Sequence, residues 1–286
     1  MRIEERIRAE FGPIRSLRGV GDIVERARRR TRARRIAWAA PVVAVAAAAA
    51  LVLPAFLPGS VRPAEAAFRA LALEASDQPT EVVGPGQYLY STFRARWETC
   101  DDGTCRWEDV MREQWLALDG SVRIHEIRGP EEWSDSFPPG QISILPQIPE
   151  DALAGTAALR AYVRERASHA DQPLDYEMFV VVGDLLRETF SSAAHHGNAE
   201  LRRSLFEIAS TIRGVELLGS MSDEDGREGI GFGFTRGDTR LELIFDEVTT
   251  QLLGEREVSI EDGRTIPGSW VVYGPTGVVD STRERP

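Results

Sequence analysis

The chain has 286 residues, a net charge of −11 and 42% apolar residues, which leaves room for one or two globular domains. That acidic balance argues against nucleic-acid binding by the bulk of the chain. Two cysteines, Cys100 and Cys105, are too few for a disulfide-dense scaffold or a four-ligand zinc site.

Charge is divided sharply along the chain. Residues 1–35 hold twelve Arg against five acids, a local balance of +7, and the remaining 251 residues carry −18. So abrupt a reversal points to two environments. Ile3, Ile7 and Phe11 have helical spacing, but this tail buries too little to fold alone until it meets lipid or a partner. Ile36 to Leu57 then runs for 22 residues without a charge. As a helix it spans about 33 Å, enough for a hydrocarbon core of about 30 Å. The arginine run Arg28–Arg35 abuts its N-terminal edge, whereas Pro58-Gly59-Ser60-Val61-Arg62 follows it. The positive-inside rule therefore puts 1–35 in the cytoplasm and 58–286 outside a cell membrane crossed once, with membrane lipid as a partner. A rival reading makes the apolar stretch a signal peptide cleaved at Ala64-Glu65-Ala66; against it, both the preceding 35 residues and the stretch itself exceed the usual lengths.

Residues 58–86 read as a linker with a short helix opened by Pro63, in which Phe68, Leu71, Ala72 and Ala75 share a face. Gly84-Pro85-Gly86 ends it, and 87–286 reads as one extracytoplasmic domain. From Gln87 the period is two: Leu89, Phe93 and Trp97 alternate with Tyr88, Tyr90, Arg94 and Arg96. Cys100 and Cys105 flank an Asp-Gly turn, so a disulfide across the hairpin and a pair of free buried thiols are both open; an oxidising compartment favours the bond. Strands follow at Val110–Leu118 and Val122–Ile127, then a Pro- and Gly-rich loop over 129–149. Helical stretches come next at 150–167, 174–194 and 198–212. Strands return at Gly214–Met221, Glu228–Thr235, Arg240–Asp246, Leu252–Ile260, Trp270–Tyr273 and Val278–Asp280, joined by Gly-containing turns. The expected fold is α+β: an antiparallel sheet with a helical insertion on one face, preceded by one transmembrane helix.

Few residues offer chemistry. Gly229, Gly231 and Gly233 alternate with Ile230, Phe232 and Phe234, so one face of that strand is bare. Close packing by a neighbouring element covers such a face, or it floors a groove for an acyl chain or peptide. These glycines are the candidate binding residues. Asp223-Glu224-Asp225-Gly226 lacks the closing Glu of a calcium loop and reads as a solvated turn, and Glu131-Glu132 as a solvated pair. His195-His196 ends a helix, and His125 and His169 stand in no metal or triad spacing. The expectation is a non-enzymatic domain with no cofactor and no metal site.

Several stretches together resemble a large uncharacterised family of bacterial single-pass membrane proteins often encoded beside extracytoplasmic-function sigma factors. They are Pro85-Gly86-Gln87-Tyr88-Leu89-Tyr90, Trp115 with Asp119-Gly120-Ser121, Arg213-Gly214-Val215 and Asp225-Gly226-Arg227-Glu228-Gly229. Leu243-Ile244-Phe245-Asp246 and Leu252-Leu253-Gly254-Glu255 complete the set; Thr249-Thr250 departs from the Thr-Gly of the pattern. The resemblance implies a basic tail, one anchor, an extracytoplasmic domain and a part in envelope signalling. It also implies a sigma factor as partner, for which a 35-residue tail is shorter than a complete helical anti-sigma domain. The meander around Phe245–Glu257 is similar to the unclosed half-barrels of periplasmic lipoprotein carriers. Two functions follow: an envelope protein whose outer domain binds a ligand or a partner protein, or a carrier or scaffold for lipid or lipoprotein.

Overall fold

A computed structural model describes residues 62–79, 81–101, 104–141, 148–169 and 172–286. The tail 1–35 and the span 36–57 lie outside the described residues, as does the Asp102-Gly103 turn. Among the described residues, no helix is long and apolar enough to cross a membrane.

The elements run α1 (Pro63–Asp77), β1 (Tyr88–Asp101), β2 (Thr104–Ala117), β3 (Val122–Arg128) and β4 (Glu131–Phe137). A short 3-10 turn (Glu150–Ala154) leads into α2 (Thr156–Ser168), α3 (Leu174–Ser191) and α4 (Ala199–Ala209). Then come β5 (Val215–Ser222), β6 (Glu228–Arg236), β7 (Thr239–Phe245), β8 (Leu252–Glu261) and β9 (Arg264–Val279). The nine strands of the described residues form one antiparallel sheet in the order β4-β3-β2-β1-β9-β8-β7-β6-β5. The pairing of β1 with β9 joins an N-terminal four-stranded meander to a C-terminal five-stranded one, and the edges β4 and β5 leave the sheet unclosed. The fold is α+β, with the helices gathered against one face.

Four local expectations are corrected. Residues 131–137, expected in a loop, form strand β4; only Phe137 is buried and Trp133 half-buried, so this acidic edge strand shows no alternation to read. Strand β9 is continuous from Arg264 despite Pro267 and Pro275. The helix expected over 150–167 breaks at Gly155, whose φ of +145° no other residue adopts readily. The linker helix α1 belongs to the core: Phe68 stacks on Phe232 with ring centres 3.8 Å apart. Ala64 is buried there too, so the Ala64-Glu65-Ala66 motif lies inside a packed helix.

The core sits between β5–β8 and the helices. Phe68, Phe179, Phe206, Phe232 and Phe245 are its largest fully buried residues. Each such side chain contributes about 1.5–3 kcal/mol by leaving water, and truncating Phe232 to Ala costs about 3–5 kcal/mol. Helix α3 is the centre of this layer, with thirteen of its eighteen residues buried. Its run from Met178 to Leu186 is buried throughout. Its Gly183 lets it approach the sheet, since a Cβ there would sit 3.1 Å from Leu243 Cδ1.

Candidate functional site

Strand β6 keeps the alternation read from its sequence. Ile230, Phe232 and Phe234 pack toward the helices, and Gly229, Gly231 and Gly233 face the opposite, outer side. The three glycines are buried. A Cβ at Gly231 would fall 2.1 Å from Met221 Sδ, one at Gly233 3.1 Å from Leu218 Cδ1, and one at Gly229 2.4 Å from the Phe245 carbonyl oxygen. The cover over Gly231 and Gly233 comes from side chains of β5, together with Arg240 of β7, and it leaves no open groove there.

The inner face offers more. Two charged residues of α3, Asp184 and Arg187, meet two groups from the middle of the sheet, Glu255 of β8 and Tyr273 of β9, and Glu188 is buried on the same helix. Arg187 donates Nη1 to Glu255 Oε1 (2.8 Å) and to the Tyr273 hydroxyl (3.2 Å), and Nη2 to Asp184 Oδ1 (2.8 Å). The Tyr273 hydroxyl in turn donates to Glu255. Burial works against the Arg187 charge, yet Tyr273, Glu255 and Asp184 together hold its pKa well above the ordinary value. Burial also pushes Tyr273 well up and Asp184 up, the latter against the pull of Arg187. Glu188 is the outlier. It is 1% exposed, and among the described residues no donor reaches either carboxylate oxygen. Burial raises its pKa to about 8, opposed by Arg166 and Arg187, so it carries a proton at neutral pH.

On the outer face of β1–β3 the arrangement is reversed. Glu113 accepts from the Tyr90 hydroxyl (2.6 Å) and from both Nε (2.5 Å) and Nη2 (2.8 Å) of Arg285. His125 bridges Glu113 (3.2 Å) and Glu132 (3.0 Å) through its two ring nitrogens. Arg285 chiefly, against burial and with help from Tyr90 and His125, lowers Glu113 to about 2. Burial and then Glu113 raise Tyr90 to about 12, and the two carboxylates raise His125.

Other sequence candidates resolve as structure. Cys100 and Cys105 are directly opposed in the β1–β2 register and form a disulfide, with Cα atoms 4.0 Å apart. Glu98 stands beside them, but bonded sulfurs are not metal ligands. Asp223 is buried rather than solvated: its carboxylate accepts the backbone N–H groups of Asp225 and Arg227 and the Arg227 guanidinium. His195 and His196 lie in the turn after α3, where His196 meets Glu81 at 3.1 Å. Thr250, standing where the resemblance has Gly, takes a φ of +58°, and its hydroxyl accepts from Arg202 (3.3 Å). A half-open cleft of about 230 Å³ on the outer side of β8–β9 is lined by Glu224, Arg256, Val258, Thr265, Pro267 and Trp270.

Asp184, Arg187 and Glu188 do not stand out in the sequence as a candidate site. The available signal was that Asp184 and Glu188, four apart, share a face of a helix otherwise too apolar to expose one. Glu113 and Arg285, 172 positions apart, gave none.

No family model and no curated protein sequence matches the chain. Among solved structures, a DUF1329 family protein from Desulfovibrio piger overlaps 75% of this chain and 92% of its own at 9% identity and a TM-score of 0.21. A LolA superfamily protein from Nitrosomonas europaea overlaps 73% and 91% at 11% identity and a TM-score of 0.16. At such TM-scores these likenesses carry no functional argument.

Proposed function

We propose that the chain is a membrane-anchored envelope protein that works by binding, without turnover, and that its outer domain carries an acyl chain of a lipid or lipoprotein between the unclosed sheet and α3. The observation that supports this is the seat of α3. A helix buried on all sides ordinarily brings only apolar groups to its neighbours. This one brings Arg187, paired with Asp184, to Glu255 and Tyr273 of the sheet and buries Glu188, for which no donor is found among the described residues. A buried polar group left without a partner costs on the order of 1–3 kcal/mol. The helix is therefore held less firmly than its apolar contacts alone would hold it, and its displacement bares Phe179, Phe232, Phe234 and Leu243 as a surface for an acyl chain.

Native mass spectrometry of the full chain released from lipid nanodiscs tests this. Retention of one acyl lipid per protein is expected, with less retained by Glu188→Leu, which seats α3 more tightly. A chain that emerges lipid-free in both forms overturns the reading. The second reading, recognition of an envelope protein with the arginine-rich tail reporting inward to a sigma factor, draws on the Trp270 cleft, which lies on the opposite face from α3 and which an acyl chain in the interior would leave free.

A further inference from the structure

The segment after β9 folds back across the outer face and ends in a seat built for it. Trp115 donates Nε1 to the Glu284 carbonyl (2.8 Å), and Gln87 donates Nε2 to Asp280 (2.8 Å). Pro286 lies over Gly277, where a Cβ would come within 2.8 Å of its ring. Between these points Arg285 lays its guanidinium on both oxygens of Glu113 and 5.8 Å from the centre of the Trp115 ring. The receiving groups are fixed independently of Arg285: Tyr90 and His125 both bond Glu113, and the Tyr90 and Trp115 rings meet edge to face at 5.3 Å. Receptor and occupant differ in burial. Tyr90 is 4% and Trp115 3% exposed, whereas the Arg285 side chain is 56% exposed.

We propose that Tyr90, Glu113 and Trp115 form a docking site for an arginine side chain on an extended segment of a partner protein, and that Arg285 fills this site in cis until the partner displaces it. The two-pronged contact with an oriented carboxylate, beside an aromatic ring, selects guanidinium over ammonium. Charge complementarity extends outward: on the same face the adjoining edge strand β4 carries the exposed Glu132, bonded to His125, which favours a basic segment. A solvent-exposed ion pair contributes little to stability, so the occupant leaves at small cost. As a tethered ligand it nonetheless competes at a high effective concentration, which sets the threshold a partner must exceed. The site lies on the opposite face from α3 and stands whether or not the interior carries lipid.

Fluorescence anisotropy with a labelled Gly-Arg-Pro-Gly peptide and the full chain tests the proposal. Arg285→Ala, which empties the seat, is expected to bind the peptide at least about tenfold more tightly than the native chain. Gly277→Ala unseats Pro286 without touching Glu113, Tyr90 or Trp115, and raises affinity by a smaller factor. Adding Glu113→Gln to Arg285→Ala returns binding to background, and a Gly-Lys-Pro-Gly peptide binds at least about tenfold more weakly than its arginine counterpart. Equal affinity for native and Arg285→Ala chains, survival of binding after Glu113→Gln, or equal affinity for the two peptides each overturns the proposal. If Arg285→Ala does not fold, Gly277→Ala decides alone, and no gain in affinity there is fatal.

Discussion

Glu188 and Glu113 are both buried carboxyls in one domain, and the domain treats them in opposite ways. Glu188, buried on α3, meets no donor among the described residues and is raised to about 8; Glu113, on the outer face, meets Tyr90, His125 and Arg285 and is lowered to about 2. Burial alone does not fix the charge of a carboxyl; the donors that accompany it do. The outer face thus holds a satisfied network that defines a fixed geometry, and the inner face a frustrated contact that weakens its own helix. A recognition surface needs the first property, and a displaceable plug needs the second.

The largest expected effect is at Glu188. In the fold it keeps its proton up to about 8, against 4.5 for an ordinary glutamate, so between these values the unfolded chain binds fewer protons and stability falls as pH rises. The full penalty above that window is roughly 3–5 kcal/mol. Glu188→Gln should remove it, so urea unfolding at pH 8.5 should show a gain of that order, shrinking toward zero near pH 4. A mutant with the native pH dependence would erase the contrast between the faces.

Smaller effects come from the outer side of β6. Gly229→Ala drives a Cβ into the Phe245 backbone, which cannot move aside, and should cost about 2–3 kcal/mol. Gly231→Ala meets the flexible end of Met221 and should cost under about 1 kcal/mol in the same thermal melts. The reverse order would mean that β5 holds Met221 rigidly. Glu113→Ala should cost about 1–2 kcal/mol, held to that range because the partner Arg285 is exposed. Here the sign is opposite to Glu188: the folded pKa of about 2 lies below the ordinary 4.5, so the contribution is present above that value and lost as pH falls toward 2. The mutant's deficit should therefore vanish in acid, which parallel melts at pH 7 and pH 2.5 would measure.

Much of the fold was legible because period and punctuation agreed. The strands β5–β8 lie within two residues of their expected bounds, since alternation and Gly turns speak together there. Strand β4 was hidden because an acidic edge strand buries too few residues to alternate. The glycine alternation on β6 was legible, but what covers the glycines was not, because Met221 and Leu218 reach them across a strand pairing.

By itself the sequence determined the reversal of charge at the apolar stretch, the antiparallel meanders and the facing of Cys100 toward Cys105. These depend on neighbours a few positions apart, and local geometry couples them directly. Only the tertiary structure decided that α1 joins the core, that Glu188 lacks a donor among the described residues and that Arg285 finds Glu113 across 172 positions. A pKa and an ion pair depend on what surrounds a group in space, and the pairing of β1 with β9, which sets those surroundings, leaves no mark on either strand.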